Sequence, residues 1–292
     1  MKKHSTIIMV LLFFIGLLVL LYPSISEYHN QKLQAKAIGD YEELLSTIEE
    51  KNYDEIFNAA DDYNNRLRNL KFQFIDYKKL KDYNDILNFN KQGMMGYISI
   101  DKIKVELPIF HGTDEKTLSN SVGHLEGTSF PVGGEGTHAA LSAHRGLASA
   151  TLFTNLAKLE IGDTFTITIL DRLLTYEVDQ IVIVDPKDTS YLEIEEGKDY
   201  VTLVTCTPYG INSHRLLVRG KRIENIKEKM YITTEAFRVS KFIVTPLIAL
   251  PIIFILLIII IIKPVEYNFN KIKQRYIYPS SVKEGIGNVK KS

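Results

Sequence analysis

The sequence predicts a mainly β protein: a closed β-barrel with short helices, preceded by an N-terminal helical segment and flanked by two transmembrane helices. Three observations predict it. Two apolar runs stand near the ends of the chain, residues 7–21 and 242–262. A Lys-, Glu-, Asp-, Asn- and Tyr-rich stretch follows the first. From Gly96 the pattern changes to short β-branched runs punctuated by Gly and Pro.

The first run follows Lys2 and Lys3, and the second has about the twenty residues that a bilayer core demands of a helix. Both read as spans. A cleaved signal peptide is the alternative for the first, but Tyr22-Pro23-Ser24-Ile25-Ser26 is a poor small-residue cleavage site. The tail after the second run carries Lys263, Lys271, Lys273, Arg275, Lys283, Lys290 and Lys291, which places it with the N-terminus on the cytoplasmic side. The order expected is cytoplasmic residues 1–4, a signal anchor at 5–22, an extracellular helical segment at 23–92, the barrel at 93–225, a linker at 226–241, a span at 242–262 and a cytoplasmic basic tail at 263–292. The lipid bilayer is therefore an expected partner.

Between the spans, Leu44, Leu45, Ile48, Ile56, Phe57, Leu67 and Leu70 recur at spacings that suit two or three amphipathic helices, read as a hairpin. Strands are expected at 97–100, 107–110, 138–143, 164–169, 175–183, 200–206 and 215–218. A helical insert is expected at 148–159, with Ile161-Gly162-Asp163 as its stop and the turn into the next strand. The 35 basic and 35 acidic residues balance, and no basic stripe with interleaved aromatics appears, which argues against nucleic-acid binding. No metal-ligand cluster stands out and no cofactor is expected.

Cys206 is the only cysteine. It ends the strand 201–206 in a region read as extracellular, where a lone thiol invites oxidation or cross-linking unless it has a use. A single cysteine is most often a buried small hydrophobe. Its place at a strand end outside the cell favours a nucleophile. A cysteine nucleophile needs a proton shuttle and a donor for the oxyanion that forms on the attacked carbonyl. Arg215 follows Cys206 across the Pro- and Gly-containing loop 207–214, so antiparallel pairing brings both to one end of the sheet. His144 closes the strand 139–143 just before Arg145-Gly146, a plausible place for the third group, with His111, His124, His138 and His214 as competitors.

The stretch Thr202-Leu203-Val204-Thr205-Cys206-Thr207-Pro208-Tyr209-Gly210-Ile211-Asn212-Ser213-His214-Arg215-Leu216-Leu217-Val218 resembles the active-site region of the sortases, in particular the class C, pilus-assembling sortases of Gram-positive bacteria. The likeness continues through Gly123-His124-Leu125-Glu126-Gly127-Thr128-Ser129, Pro131-Val132-Gly133-Gly134 and Leu141-Ser142-Ala143-His144-Arg145-Gly146-Leu147, covering roughly residues 95–222. The family's cysteine, histidine and arginine fall on Cys206, His144 and Arg215. The resemblance implies a sortase-like barrel that cuts an LPxTG-like sorting signal between Thr and Gly, holds the acyl group as a thioester, and passes it to a lysine amine of a pilin subunit. A peptidoglycan amine, for cell-wall anchoring, is the alternative acceptor, and a noncatalytic membrane-tethered scaffold the alternative of another class. One feature departs from the class: no Asp-Pro-aromatic lid triplet occurs between the first span and Gly93. Asp76-Tyr77 is a possible reduced lid, and the segment 72–79 is expected to be loosely docked.

Overall fold

The computed structural model describes residues 2–47, 51–88, 93–225 and Ile253. The chain divides into two compact units, Met1–Phe237 and Arg238–Ser292, and all described residues but Ile253 lie in the first. The expected linker, second span and basic tail fall outside the described residues, Ile253 apart.

Helix α1 runs unbroken over Lys2–Thr47 with Pro23 inside it, so the apolar run and the first helix of the polar segment are one element. Its stretch from Leu11 is long and apolar enough to cross a membrane. Helix α2, Lys51–Arg68, is amphipathic: Tyr53, Phe57, Ala60, Tyr63, Asn64 and Leu67 recur at three or four residues and are all buried. Asp54 in its first turn and Arg66 and Arg68 in its last complement the helix dipole. The Tyr53 hydroxyl donates to the Leu45 carbonyl, which turns α2 back against α1. A short helix α3, Gln73–Asp76, runs into a single 3₁₀ turn at Tyr77–Lys79.

The barrel consists of β1 (Met94–Ile100), β2 (Val105–His111), β3 (Val122–His124), β4 (Thr137–Ser142), β5 (Thr164–Ile169), β6 (Arg172–Val184), β7 (Asp199–Thr207) and β8 (His214–Ile223), with a one-turn helix α4 (Glu115–Leu118) between β2 and β3. The sheet closes in the order β1-β2-β3-β4-β7-β8-β6-β5. The pairs β2–β3 and β4–β7 are parallel and the others antiparallel. Alternation along the strands separates two apolar sets. Ile98, Ile109, Ala139, Leu141, Ile167, Val201, Leu203, Leu216 and Val218 belong to the main core. Their neighbours Ala140, Val204 and Leu217, with Val184 and Leu192, form a smaller apolar patch on the opposite face of β4, β7 and β8.

An aromatic stack ties the helical segment to the barrel. Phe130 lies 4.8 Å from Tyr63 and 5.4 Å from both Tyr83 and His124, ring centre to ring centre. The Asn64 amide clamps the Phe130 backbone at both ends, donating to its carbonyl at 3.2 Å and accepting from its N–H at 2.7 Å.

Residues 148–159 do not form the expected helix. They make a loop with one 3₁₀ turn, Leu156–Lys158. Ala150, Leu152, Phe153, Leu156 and Leu159 are all buried. Their helix-like spacing thus comes from a loop that plugs the core, held where the Phe153 N–H donates to the His144 carbonyl and the Gly146 N–H to the Thr154 hydroxyl. Strand β3 was absent from the sequence reading because three residues carry too little periodicity to read.

Candidate active site

Cys206 and Arg215 are direct cross-strand partners on β7 and β8. The antiparallel hairpin inferred from the Pro–Gly loop is therefore the one that forms. Cys206 is partly exposed, at the end of a strand whose preceding residues are buried.

His144 reaches this pair from the other side of β7. In the parallel β4–β7 register Ser142 is level with Val204, and the Ala143 N–H donates to the Val204 carbonyl, extending the ladder past the end of β4. Two side-chain bonds then flank the histidine. The Thr205 hydroxyl donates to the Ala143 carbonyl at 2.8 Å, and the Arg145 guanidinium donates to the Thr207 hydroxyl at 3.1 Å. With 143 tied to 205 and 145 to 207, His144 stands opposite Cys206. Neighbouring strands are about 4.8 Å apart, so His144, Cys206 and Arg215 form one row of about 10 Å across β4, β7 and β8. Thr205, Thr207 and Arg145 escaped the sequence reading because their contacts bridge strands some sixty residues apart.

The Nε2 of His144 is buried without a hydrogen-bond partner among the described residues. The nearest carboxylate, Glu115 on α4, lies 3.6 Å away and is itself largely exposed. The competing histidines are engaged elsewhere. The His124 Nε2–H donates to the Ser129 carbonyl while its Nδ1 accepts from the Tyr83 hydroxyl, and burial pushes its pKa down to about 3. His138 donates from Nδ1 to the Glu193 carbonyl and accepts at Nε2 from the Thr202 hydroxyl, and burial pushes it down to about 4. His111 faces the Gly93 and Ile86 carbonyls, and burial, outweighing them, lowers its pKa too. His214 is exposed and contacts the Ser213 hydroxyl.

Arg215 donates through Nη1 to the Asn212 and His214 carbonyls at 3.3 and 3.2 Å. Among the described residues no carboxylate pairs with it. Arg219, two positions further along the same face, differs: both its Nε and Nη2 donate to Asp179 at 3.0 Å. Of these two, the guanidinium beside Cys206 is the one that keeps donors for an incoming oxygen. The loop between β7 and β8 carries Tyr209, 61% exposed, and Ile211, 71% exposed. Gly146, at φ +80°, lets the Tyr209 ring lie against the backbone after His144; a Cβ there would sit 2.9 Å from the ring.

The segment 72–79 is docked, contrary to the loose attachment expected without a lid proline. Phe74 packs on the patch of Val204 and Leu217, one alternation from Cys206 and Arg215. The Gln73 amide donates to the Gly127 carbonyl at 2.9 Å and accepts from the Ile194 N–H at 3.3 Å. Tyr77 packs partly against the main core, and a Cβ on Gly127 would meet its ring at 3.1 Å. Asp76 pairs with Lys79 at 2.7 Å. The sequence points to Asp76 and Tyr77, whereas Phe74 is the residue of this segment packed on the patch that contains Val204 and Leu217. No triplet signals that role, because a lone aromatic beside a short helix is common.

Among the described residues no cluster of His, Cys, Asp or Glu can hold a metal ion.

A family model described as the sortase domain matches residues 98–223. Sortase C1 from Streptococcus agalactiae is 51% identical, with a TM-score of 0.62, over 65% of this chain and 100% of that one. Sortase C from Streptococcus pneumoniae is 42% identical, with a TM-score of 0.59, over 65% of this chain and 97% of that one. Sortase D of Bacillus subtilis (strain 168) is 35% identical over 131 residues, 44% of this chain and 63% of its own length, so the chain spans less than two thirds of that relative.

Proposed function

This chain belongs to the sortase family of cysteine transpeptidases, and from that premise we propose that it cuts an LPxTG-like sorting signal between Thr and Gly and joins the new acyl end to a lysine amine of a pilin subunit. The observation that carries the reading is the row of His144, Cys206 and Arg215 across three neighbouring strands. The Cys206 thiolate attacks the Thr carbonyl carbon, and the Arg215 guanidinium stabilises the oxyanion. Collapse breaks the C–N bond, the glycine amine leaves with a proton from His144, and a thioester remains on Sγ. An incoming amine then attacks the thioester, gives a proton to His144 and expels the thiolate. One peptide bond breaks and one amide forms, with no net gain or loss of water.

The pilin acceptor is favoured by the likeness to sortase C structures, one of which, from Streptococcus pneumoniae, is described as giving insight into pilin substrate specificity. The apolar part of α1 supports membrane anchoring, with the barrel outside the cell. Incubation with sorting-signal peptides, candidate pilins and peptidoglycan-type amines, read by mass spectrometry, tests the whole scheme. A thioester on Cys206 and a lysine-linked product are expected, and Cys206→Ala should yield neither. Covalent capture by the alanine variant would end the nucleophile assignment; products made only with peptidoglycan-type amines would replace the pilin reading.

A further inference from the structure

The row of Arg215, Cys206 and His144 follows the rim of the barrel from β8 through β7 to the end of β4. Strand β3 comes next along that rim, antiparallel to β4, with Gly123 level with Ser142. The chain that enters β3 at Val122 therefore lies at the end of the sheet where β4 delivers His144. Helix α4 stands just ahead of that entry, and its Glu115 carboxylate comes to 3.6 Å from His144 Nε2. The order along the rim is thus oxyanion donor, nucleophile, proton carrier and carboxylate.

The backbone under Glu115 is fixed while its side chain is free. Asp114 caps α4 by accepting from the Thr117 N–H at 2.8 Å, and the Ser121 hydroxyl donates to the Thr117 carbonyl. From α1 the Gln34 amide donates to the Asn120 carbonyl at 2.7 Å. Leu118 packs so close to Gly123 that a Cβ there would sit 3.0 Å from it. The Glu115 side chain is nevertheless 86% exposed, and among the described residues no lysine or arginine pairs with it. His144 Nε2, by contrast, is itself buried and has no hydrogen-bond partner among those residues. A solvent-facing carboxylate, fixed beside a shielded imidazole nitrogen, can meet a cation before the imidazole takes a proton from it.

We propose that Glu115 is the acceptor-binding residue of this site: its carboxylate receives the ammonium group of the incoming lysine and holds it beside His144. This rests on the proposed transfer of the acyl group to a lysine amine. With an ordinary pKa near 10.4, only about one lysine amine in 2,500 is uncharged at pH 7, so the acceptor arrives as a cation. The lysine head is a compact charge on a flexible four-carbon stem, which suits a carboxylate standing on the rim. Before attack the ammonium gives one proton to water. Its second proton goes to His144 as the new C–N bond forms and the thiolate leaves. The proton given to water is balanced by the one that the released glycine amine takes up.

The test separates binding of the cation from the chemistry. The full chain in detergent is loaded with a Leu-Pro-Ala-Thr-Gly peptide, and the thioester on Cys206 is measured by mass spectrometry, so that transfer is expressed per loaded enzyme. The acceptor is an end-capped, alanine-rich peptide with one lysine. The same peptide with trimethyl-lysine keeps the charge but cannot attack, and with acetyl-lysine it has neither charge nor nucleophile. An exposed ion pair is worth up to about fivefold in binding, so trimethyl-lysine should inhibit transfer by the parent about five times better than acetyl-lysine. Glu115→Gln should raise the trimethyl-lysine inhibition constant about fivefold, and Glu115→Lys about twenty-fivefold, because reversal counts the charge twice. The acetyl-lysine constant should move by less than about twofold, and in about 1 M salt, where charges are screened within about 3 Å, the two inhibitors should converge. A trimethyl-lysine peptide no better than acetyl-lysine against the parent, or one whose constant Glu115→Gln leaves in place, overturns the assignment alone, even if transfer falls, since Glu115 then acts only on His144. Equal weakening of both inhibitors points to a displaced loop and overturns it too. A parent that forms no lysine-linked product overturns the proposed reaction and the acceptor assignment with it.

Discussion

Replacing Phe74 with alanine should uncover Cys206. The ring packs on the patch of Ala140, Val184, Leu192, Val204 and Leu217, whose members on β7 and β8 lie one alternation from Cys206 and Arg215. Removing a fully buried Phe costs about 3–5 kcal/mol. Phe74 is half-buried and sits on a surface segment, so about half of that, roughly 2 kcal/mol, is the working figure. The loss falls on docking of residues 72–79, because the barrel strands keep their own ladder. At 1.4 kcal/mol per factor of ten, the undocked fraction should rise about tenfold or more. Cys206 is the only thiol, so a small thiol reagent labels it alone, and the change in labelling rate reports how far the docked segment restricts access to a partly exposed group. Phe74→Ala should label about ten times faster than the parent, and Phe74→Leu within about threefold, since most of the apolar area remains. Gln73→Ala loses two hydrogen bonds worth about 1 kcal/mol each and should fall between. Equal labelling of parent and Phe74→Ala, with the thermal midpoint of the barrel unchanged, would refute the idea that this segment limits access.

Other outcomes follow from the same geometry. His144→Ala and Arg215→Ala should each lower transpeptidation by about a hundredfold or more, and Arg215→Lys should recover only part of it, since an ammonium lacks the planar fork; near-parental rates in a peptide-transfer assay would move the role to another residue. Stability should fall as pH drops below the ordinary histidine value, because the unfolded chain takes up protons that buried His124 and His138 refuse down to about 3 and about 4. The loss is at most about 2 kcal/mol for each by pH 5, none above pH 7, and a urea midpoint unchanged between those two pH values would count against it. Tyr41→Phe strands the Met95 carbonyl and the Leu170 N–H and should cost about 1–3 kcal/mol, seen as a lower thermal midpoint; an unchanged midpoint would show that these groups find other partners.

What could be read from the chain was what neighbours in sequence encode. Alternating β-branched runs mark strands because their side chains alternate faces, and the Pro- and Gly-bearing loop after Cys206 makes its two strands antiparallel neighbours, so the pairing of Cys206 with Arg215 is legible in the sequence. The barrel was legible on the same ground. Helix-like spacing misled at 148–159, where apolar residues three and four apart fill a core from a loop. The turn between β5 and β6 was equally silent, because Leu170 adopts φ +52° with no Gly or Asn to signal it, its N–H held by Tyr41.

By itself, then, the sequence determined the β-barrel class, a thiol at a strand end and an arginine across from it, since short-range alternation and turn chemistry carry that information. Tertiary structure alone decided how His144, singled out by its strand-end place and by resemblance, comes to stand opposite Cys206: parallel pairing of β4 with β7 and the Thr205 and Arg145 bonds set that register. It likewise decided that Phe74 covers the neighbouring patch and that Asn30 seats α1 under the Ser149 loop. Each of these contacts joins residues far apart in the chain. No local pattern encodes them, because they form only when closure of the barrel and its shared core repays the entropy of bringing distant segments together.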